Sequence, residues 1–408
     1  MAYYPSKGSS LWLATATTTI YPPLTDNLEV DVAIVGGGIA GLTTAYMLKR
    51  RGLTVAVLEK HTIGSGVTGY TTAKVTSQHS LTYMDLMKQH GEVTARLYGE
   101  ANQAAIAQIE TIIAQERIDC GWRNDDNYVF TEDQQRVQQL KDEAEVAARL
   151  GLPASFLTET GLPFPVAGAV RFENQGTFHV LRYLDGLARA IQGDGSSVFE
   201  HTKATQYHDG VPTGVIANGH TIRAKHVILA TNAPDKVKDH VAYAAVEYPT
   251  RSYIVAGRLQ TMLNGMYISA DHPTRSILPM EIDHQPWLLV GGDGHFVGKS
   301  GPAKGHYENL AVYAQERFDV EAPEYQWSTW DFVAYDRLPL VGKLYPWSKH
   351  TYVVTGLRKW GMTNATVGAM ILADELTGTK NAWESVFRTN RTSAVLSMPQ
   401  GLIRGLLS

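Results

Sequence analysis

Three glycines at G-x-G-x-x-G spacing, Gly36, Gly38 and Gly41, lie within VAIVGGGIAGLTTAYMLKRRGLTVAVLEK, residues Val32 to Lys60, and that segment closes on Glu59. So bare a backbone suits an anion. Gly36 permits a tight turn, Gly38 lets peptide N–H groups approach a pyrophosphate, and Gly41 allows a helix to pack close to its strand. The helix N-terminus adds favourable potential for negative charge. Glu59 follows about 20 residues on, where a carboxylate accepts hydrogen bonds from an adenosine ribose and repels a 2′-phosphate. NADP is therefore disfavoured, which leaves FAD, NAD or, in the plainest reading, a tight turn with no ligand.

The rest of the chain bears on that choice, because a flavin is held along its whole length whereas a nicotinamide comes and goes. No second G-x-G-x-x-G occurs, and with Cys120 as the single cysteine no Cys-x-x-Cys redox pair exists. The two-dinucleotide disulfide reductase plan is thereby excluded. Near the C-terminus, VVTGLRKWGMTNATVGAMILADELTG reads as a strand, a glycine turn and a helix start. Amides at Gly361, Met362 and Thr363 would there face a flavin pyrimidine ring, where negative charge accumulates on reduction.

These segments need elements to carry them. Glu29 to Val35 is short, β-branched and bounded by glycines, as a buried parallel strand should be. Helical periodicity runs from Ile39 to about Arg50, stops at Gly52, and gives way to a strand from Leu53 to Glu59, completing a βαβ unit. Ile63 to His79 is rich in Gly, Thr and Ser and reads as a loop able to lie against a ligand. Helices are expected from Leu81 to about Arg117, Gln134 to Leu150, Leu181 to Ile191 and about Asn364 to Leu376, the last closed by Gly378. Strands are expected at Asn127 to Phe130, as a pair from Val198 to Ile222, at His226 to Ala233 and Thr351 to Gly356, with several more between Tyr243 and Val297.

With 408 residues the chain exceeds what one core usually supports, so two domains are expected. A formal net charge of −4, from 36 basic and 40 acidic residues without long runs, gives no electrostatic footprint for nucleic acid. One cysteine fits a reducing cytoplasm and leaves no internal disulfide. The N-terminal residues lack the pattern of a secretory signal, and no apolar run approaches the roughly 20 residues of a membrane span.

With Gly36 to Glu59, Val227 to Ala233 and Tyr352 to Gly378 in place, the sequence resembles the FAD-dependent oxidoreductases of the glycine/D-amino acid oxidase superfamily across about residues 26 to 385. TGYTTAKVTSQHS (Thr68 to Ser80) and RKWGMT (Arg358 to Thr363) look most like a bacterial branch whose members often carry a C-terminal Rieske domain. A Rieske centre takes two Cys and two His, more thiols than this sequence holds. Leu357, Arg358 and Val180 also depart from the usual pattern.

The resemblance implies an α/β fold: a Rossmann-like FAD-binding domain with a central parallel sheet, plus a substrate domain with a mainly antiparallel sheet. The FAD domain would be discontinuous, from 26–80, 165–235 and 325–385. The substrate domain would comprise 81–164 and 236–324, with 1–25 an N-terminal extension and 386–408 a tail. It also implies FAD as cofactor and oxidation of a C–N bond in an amine or amino acid; Cys120 falls in the expected substrate-domain segment, far from anchoring loops, so the FAD is expected to be noncovalent. The electron acceptor would be oxygen or, in a dehydrogenase, a protein or quinone, and a non-catalytic flavin-binding protein is the alternative from another class. Gly36, Gly38, Ile39, Ala40 and Gly41 would hold the pyrophosphate, with Glu59 at the ribose and Lys60 beside it. Thr68, Thr71, Thr72 and Lys74 would lie along the flavin, Ala204 at the adenine, Ala230 and Thr231 near ribose and pyrophosphate, and Gly356, Gly361, Met362 and Thr363 by the ring.

Three residues are candidates for the chemistry itself. Lys74 would place a cation beside the flavin, tuning its reduction. Arg275, in PTRSILPM, would grip a substrate carboxylate with its bidentate fork. Trp360 would flank the ring or fill the domain interface. Tyr253, His79 and His284 are weaker candidates, and Asp336 in DRLPLVG would cap a turn. No metal site is expected, since His306 and His350 lack ligand spacing to other donors.

Overall fold

The computed structural model describes residues 8–232, 246–297 and 303–397. Ala233 and Tyr243, each at the margin of an expected strand, lie outside the described residues, as does the end of the C-terminal tail.

Two sheets organise the chain. The eight-stranded sheet runs in the order Leu340–Lys343, Thr351–Thr355, His220–Leu229, Leu28–Val35, Val55–Leu58, Ser197–Phe199, with Ala204–His208 and Gly214–Ala217 attached through His220–Leu229. Leu28–Val35 pairs in parallel with a neighbour on each side, in register Val35 to Leu58 and Val35 to Leu229. Such strands are buried on both faces, which is why AIV and VAVL are unbroken apolar runs. The chain leaves Leu28–Val35 toward Val55–Leu58, while His220–Leu229 lies on the other flank. A crevice therefore opens beyond the carboxyl end of Val35, at the point where the strand order reverses.

The second, nine-stranded sheet is mainly antiparallel. Its order is Tyr325–Ala334, Glu247–Arg258, Gln285–Phe296, Arg275–Ile282, Met266–Ser269, Arg123–Thr131, Gly168–Thr177, Lys74–Val75, with Ala154–Leu157 on the side. One pairing, Met266–Ser269 on Arg123–Thr131, is parallel.

Helix Ile39–Arg50 starts directly after Gly38 and packs against helix Gly361–Leu376, whose residues are apolar nearly all round and almost wholly buried. Several elements differ from expectation for local reasons. The single helix expected over 81–117 is two, Tyr83–His90 and Glu92–Glu116, because Gly91 takes a left-handed φ of 84° that α-helix cannot continue. The segment 63–79 carries a 3₁₀ turn, Val67–Tyr70, and the short strand Lys74–Val75. Helix Ala303–Arg317 and strands Gly168–Thr177 and Tyr325–Ala334 have no counterpart in the expected elements. The C-terminal helix begins at Gly361, three residues before the expected Asn364.

The N-terminal residues form a strap. Trp12, in the short helix Leu11–Thr15, is fully buried, and its indole N–H donates to Thr71 O at 2.7 Å. Further along, Tyr21 N donates to Glu200 Oε2 at 3.1 Å, while Ile63 N donates to the other oxygen of that carboxylate at 2.7 Å.

Candidate active site

At the crevice the glycine loop is held from three sides. Gly36 has φ +115°, and a Cβ on it would stand 2.6 Å from Ala230 O, at the end of the neighbouring parallel strand. On Gly41 a Cβ would fall 1.9 Å from Gly36 O, so the helix lies against its own entry turn. The Glu59 carboxylate accepts from Gly37 N and from His61 N, each at 2.8 Å. It thus fixes the loop through its own backbone, a role beyond the ribose contact expected of it. Thr68 Oγ1 accepts from Ile39 N at 3.1 Å, capping the helix from outside its own segment.

A single cavity of about 980 Å³ starts at this loop. That is the upper end of the range of small-molecule and cofactor sites. Of the residues expected at the cofactor, Gly36, Gly38, Ile39, Ala40, Glu59 and Lys60 line it. So do Thr68, Thr71, Thr72, Ala204, Ala230 and Thr231, and, at the opposite end, Trp360, Gly361 and Met362. Helix and loop segments separated by some 300 residues of sequence therefore share one wall-to-wall space, a juxtaposition produced by the parallel pairing of Leu28–Val35, His220–Leu229 and Thr351–Thr355.

Others of the expected set stand behind the wall. Gly41 is packed on Gly36; Thr363 donates its hydroxyl to Thr76 O at 3.0 Å; Gly356, at φ +66°, leaves no room for a Cβ beside Glu247 Oε1. Lys74 is buried, with Nζ donating to Tyr267 O, and is not among the lining residues. Arg275 is buried in an ion pair with Asp293 at 2.6 Å and also donates to Thr274 O. Asp293 in turn accepts from Asn309 at 2.9 Å and contacts His306 at 3.2 Å. Tyr253 lines the cavity and meets His295 through its hydroxyl at 3.1 Å. His79 is buried against Trp360, rings stacked at 4.9 Å, and burial pushes its pKa well below the ordinary value. His284 is exposed at the tip of a strand turn. Asp336 caps Leu338 N as expected of a turn, but its larger partner is Arg391.

Among the charged residues on the cavity wall that sequence reasoning passes over are Asp331 and Lys359, besides Lys203 and Asp293. Asp331 is 7% exposed and accepts from Phe332 N at 2.8 Å; burial raises its pKa to about 6. Lys359 opens onto the cavity, with Nζ donating to Ser252 Oγ at 3.0 Å, and desolvation lowers its pKa while Asp331 acts the other way. The turn that carries Lys359 is marked in the sequence by its glycine and tryptophan; Asp331 sits on a strand that no pattern announces.

Lys74 supports a pH prediction. Burial lowers its pKa to about 7, against about 10.4 in an unfolded chain. Between those values the unfolded state binds a proton that the folded state lacks, so this group makes stability rise with pH, by at most about 1.4 kcal/mol per unit. Urea denaturation at pH 7, 8 and 9 is expected to show that rise for the native sequence and a flatter profile for Lys74→Met. Equal slopes in the two proteins would mean that the amine is not desolvated.

A family profile described as FAD dependent oxidoreductase matches residues 31–375. YhfW of Bacillus subtilis, named for a Rieske 2Fe-2S iron-sulfur protein, is 34% identical over 382 residues, covering 93% of this chain and 75% of that one. Gamma-glutamylputrescine oxidoreductase of Escherichia coli is 26% identical over 391 residues, covering 91% and 89%. Among solved structures, glycine oxidase from Geobacillus kaustophilus superposes with a TM-score of 0.75 at 21% identity, over 90% of this chain and 99% of that one. At that identity the likeness speaks for the fold.

Proposed function

The chain belongs to the FAD dependent oxidoreductase family, and from that premise we propose that it oxidises a C–N bond of an amine or amino acid. The observation that carries this reading is the continuity of one cavity from the glycine cradle to the Trp360–Met362 turn. A turn packed so closely on Ala230 O and on itself that neither Gly36 nor Gly41 could carry a Cβ presents a bare backbone that fits a pyrophosphate, and the cavity beyond it fits the remainder of FAD. FAD bound there supplies the acceptor, at its flavin N5, for a hydride from the substrate carbon.

The protein's part is to bind, orient and exclude water. Backbone amides of Gly38 and Ala40 would hold the pyrophosphate, those of Gly37 and Ile39 being taken by Glu59 and Thr68, while Thr71 and Thr72 would flank the flavin and amides of Gly361 and Met362 would favour negative charge on the ring. The antiparallel sheet, through Tyr253, Ile254 and Gly291, would cover the substrate side. We take the discontinuous division into a cofactor domain and a substrate domain to follow this split of roles. Noncovalent attachment fits Cys120, which is buried away from the cavity with its thiol pushed up to about 12 by burial. A single thiol suits the cytoplasm, and no helix among the described residues is long and apolar enough to cross a membrane.

Reconstitution with FAD is expected to give a yellow protein whose visible absorbance bleaches when an amine or amino acid is added without oxygen. A colourless protein after reconstitution, or a flavin that no member of either class bleaches, would refute the proposal. A second reading, in which electrons pass to a protein rather than to oxygen, draws support from the relative named for an iron-sulfur protein. Stopped-flow reoxidation with and without oxygen separates the two.

A further inference from the structure

Two indole groups from distant parts of the chain hold one stretch of the cavity wall. Trp327, on the edge strand Tyr325–Ala334, donates its N–H to Tyr70 O at 3.0 Å, and Trp12, on the N-terminal strap, donates to the next carbonyl, Thr71 O, at 2.7 Å. Both side chains are buried. The stretch they hold, Thr71 and Thr72, lines the cavity, and Thr72 lies against the covering sheet, where a Cβ on Gly291 would come 3.5 Å from its methyl. It leads directly into Ala73, which keeps a left-handed φ of 56°. Such a backbone persists only where its surroundings hold it.

The strap reaches the other end of the crevice as well. Leu24 N donates to Thr202 Oγ1 at 2.9 Å, and Thr202 lines the cavity next to Glu59, whose carbonyl accepts from Thr202 N at 2.8 Å. Between these points the Glu200 carboxylate joins Tyr21 N on the strap to Ile63 N on the loop that leads to Thr71. Helix Val180–Ile191 anchors the middle of the strap, with Thr19 N donating to Asp185 Oδ1 at 2.7 Å. Loop 61–72 therefore lies between this band and the cavity. The strap precedes residue 31, where the match to the family profile starts, so the fold common to the family does not account for it.

We propose that the strap is a clasp for the cofactor and that Trp12 is its positioning residue: through Thr71 O it sets the wall along the flavin ring and so retains bound FAD. The inference rests on FAD in the crevice and not on the choice of substrate. An indole N–H is a donor only, and removing it leaves the Thr71 carbonyl without that donor, the costly way to break a hydrogen bond. The effect belongs to the flavin end. ADP fills only the pyrophosphate and adenosine end, so it reports binding that the Thr71 stretch does not touch.

Equilibrium dialysis of the FAD-loaded protein against graded FAD, with ADP as competitor, tests this. Trp12→Phe keeps a ring and removes the donor; it is expected to weaken FAD about tenfold and to leave ADP within about twofold of native. Bound flavin should also change its visible circular dichroism at saturating FAD, a signal that a loss confined to folding stability does not move. Trp327→Phe, which frees the same stretch from the other side, should act alike. Should Trp12→Phe fail to fold, Ser10→Ala decides. It removes only the cap that Ser10 Oγ gives Leu13 N, at 3.2 Å, in the helix carrying Trp12, and should weaken FAD about threefold with ADP unchanged. FAD affinity unchanged in a folded Trp12→Phe, or in Ser10→Ala where the first variant does not fold, would overturn the inference, and so would equal losses of FAD and ADP. Native protein that takes up no FAD overturns it together with the reading before it. FAD uptake without bleaching by any amine or amino acid strikes that reading alone, and the dialysis still decides on Trp12.

Discussion

Gly41→Ala is expected to purify with its crevice empty of flavin. The added methyl would sit 1.9 Å from Gly36 O, and Gly36 has no retreat, because its own face lies against Ala230 O on the next strand. The turn can yield only into the space where the pyrophosphate would bind. FAD affinity should fall at least about 100-fold, close to 2.7 kcal/mol, while overpacking costs stability about 1–3 kcal/mol. The ratio of visible to ultraviolet absorbance after gel filtration measures retained flavin, and far-ultraviolet circular dichroism reports whether the fold survives. Should Gly41→Ala fail to fold, Gly38→Ala is the milder test, since its methyl meets only the Thr68 hydroxyl at 3.0 Å. Full flavin content in both variants would rule out close backbone approach as the means of cofactor binding.

Asp336→Ala should destabilise the protein by about 3–5 kcal/mol, the usual result of stranding one member of a buried ion pair. Arg391 meets this carboxylate through two nitrogens, at 2.6 and 2.8 Å, and the two side chains are 6% and 0% exposed. The guanidinium also donates to Pro339 O at 2.7 Å and to Leu338 O, which ties the last segment of the described chain to the turn after Tyr325–Ala334. Burial alone would raise the carboxyl, but bonds and charge from Arg391 outweigh it and hold the pKa below its ordinary value. A depressed carboxylate contributes fully above the unfolded pKa of about 3.9 and loses its contribution as pH falls through the folded value. Urea denaturation should therefore show a constant gap between native protein and Asp336→Ala from pH 6 to 8, narrowing only in acid below about pH 4. A gap under about 1 kcal/mol at pH 7 would place the pair among the weak ones.

The cofactor half of the site was legible in the sequence because its signals are backbone signals. Gly36, Gly38 and Gly41 are constrained by contact with a strand and with each other, and such constraints select residue types at fixed spacing. The parallel strands were legible for a related reason, as runs buried on both faces. The covering sheet was harder to read. Gly168–Thr177 and Tyr325–Ala334 mix polar and apolar residues without clean alternation; Tyr325–Ala334 meets the cavity only from Thr329 to Phe332, and Gly168–Thr177 does not line it. Charged residues escaped for another reason: whether Arg275 or Lys359 is committed depends on Asp293 and Ser252, partners set by strand register rather than by sequence distance. Gly91 shows the limit of periodicity, which ran unbroken across a residue whose φ splits the helix.

The order of strands in the parallel sheet also governs when the cofactor can be captured. One bank of the crevice is made from residues 36 to 72 and the other from residues 329 to 362, joined only after Thr351–Thr355 has docked on His220–Leu229. A chain still emerging from the ribosome has the glycine turn long before it has the far bank. Flavin loading is therefore expected to follow synthesis of the far bank, and chains truncated ahead of residue 362 are expected to retain little FAD, whatever remains of their first βαβ unit.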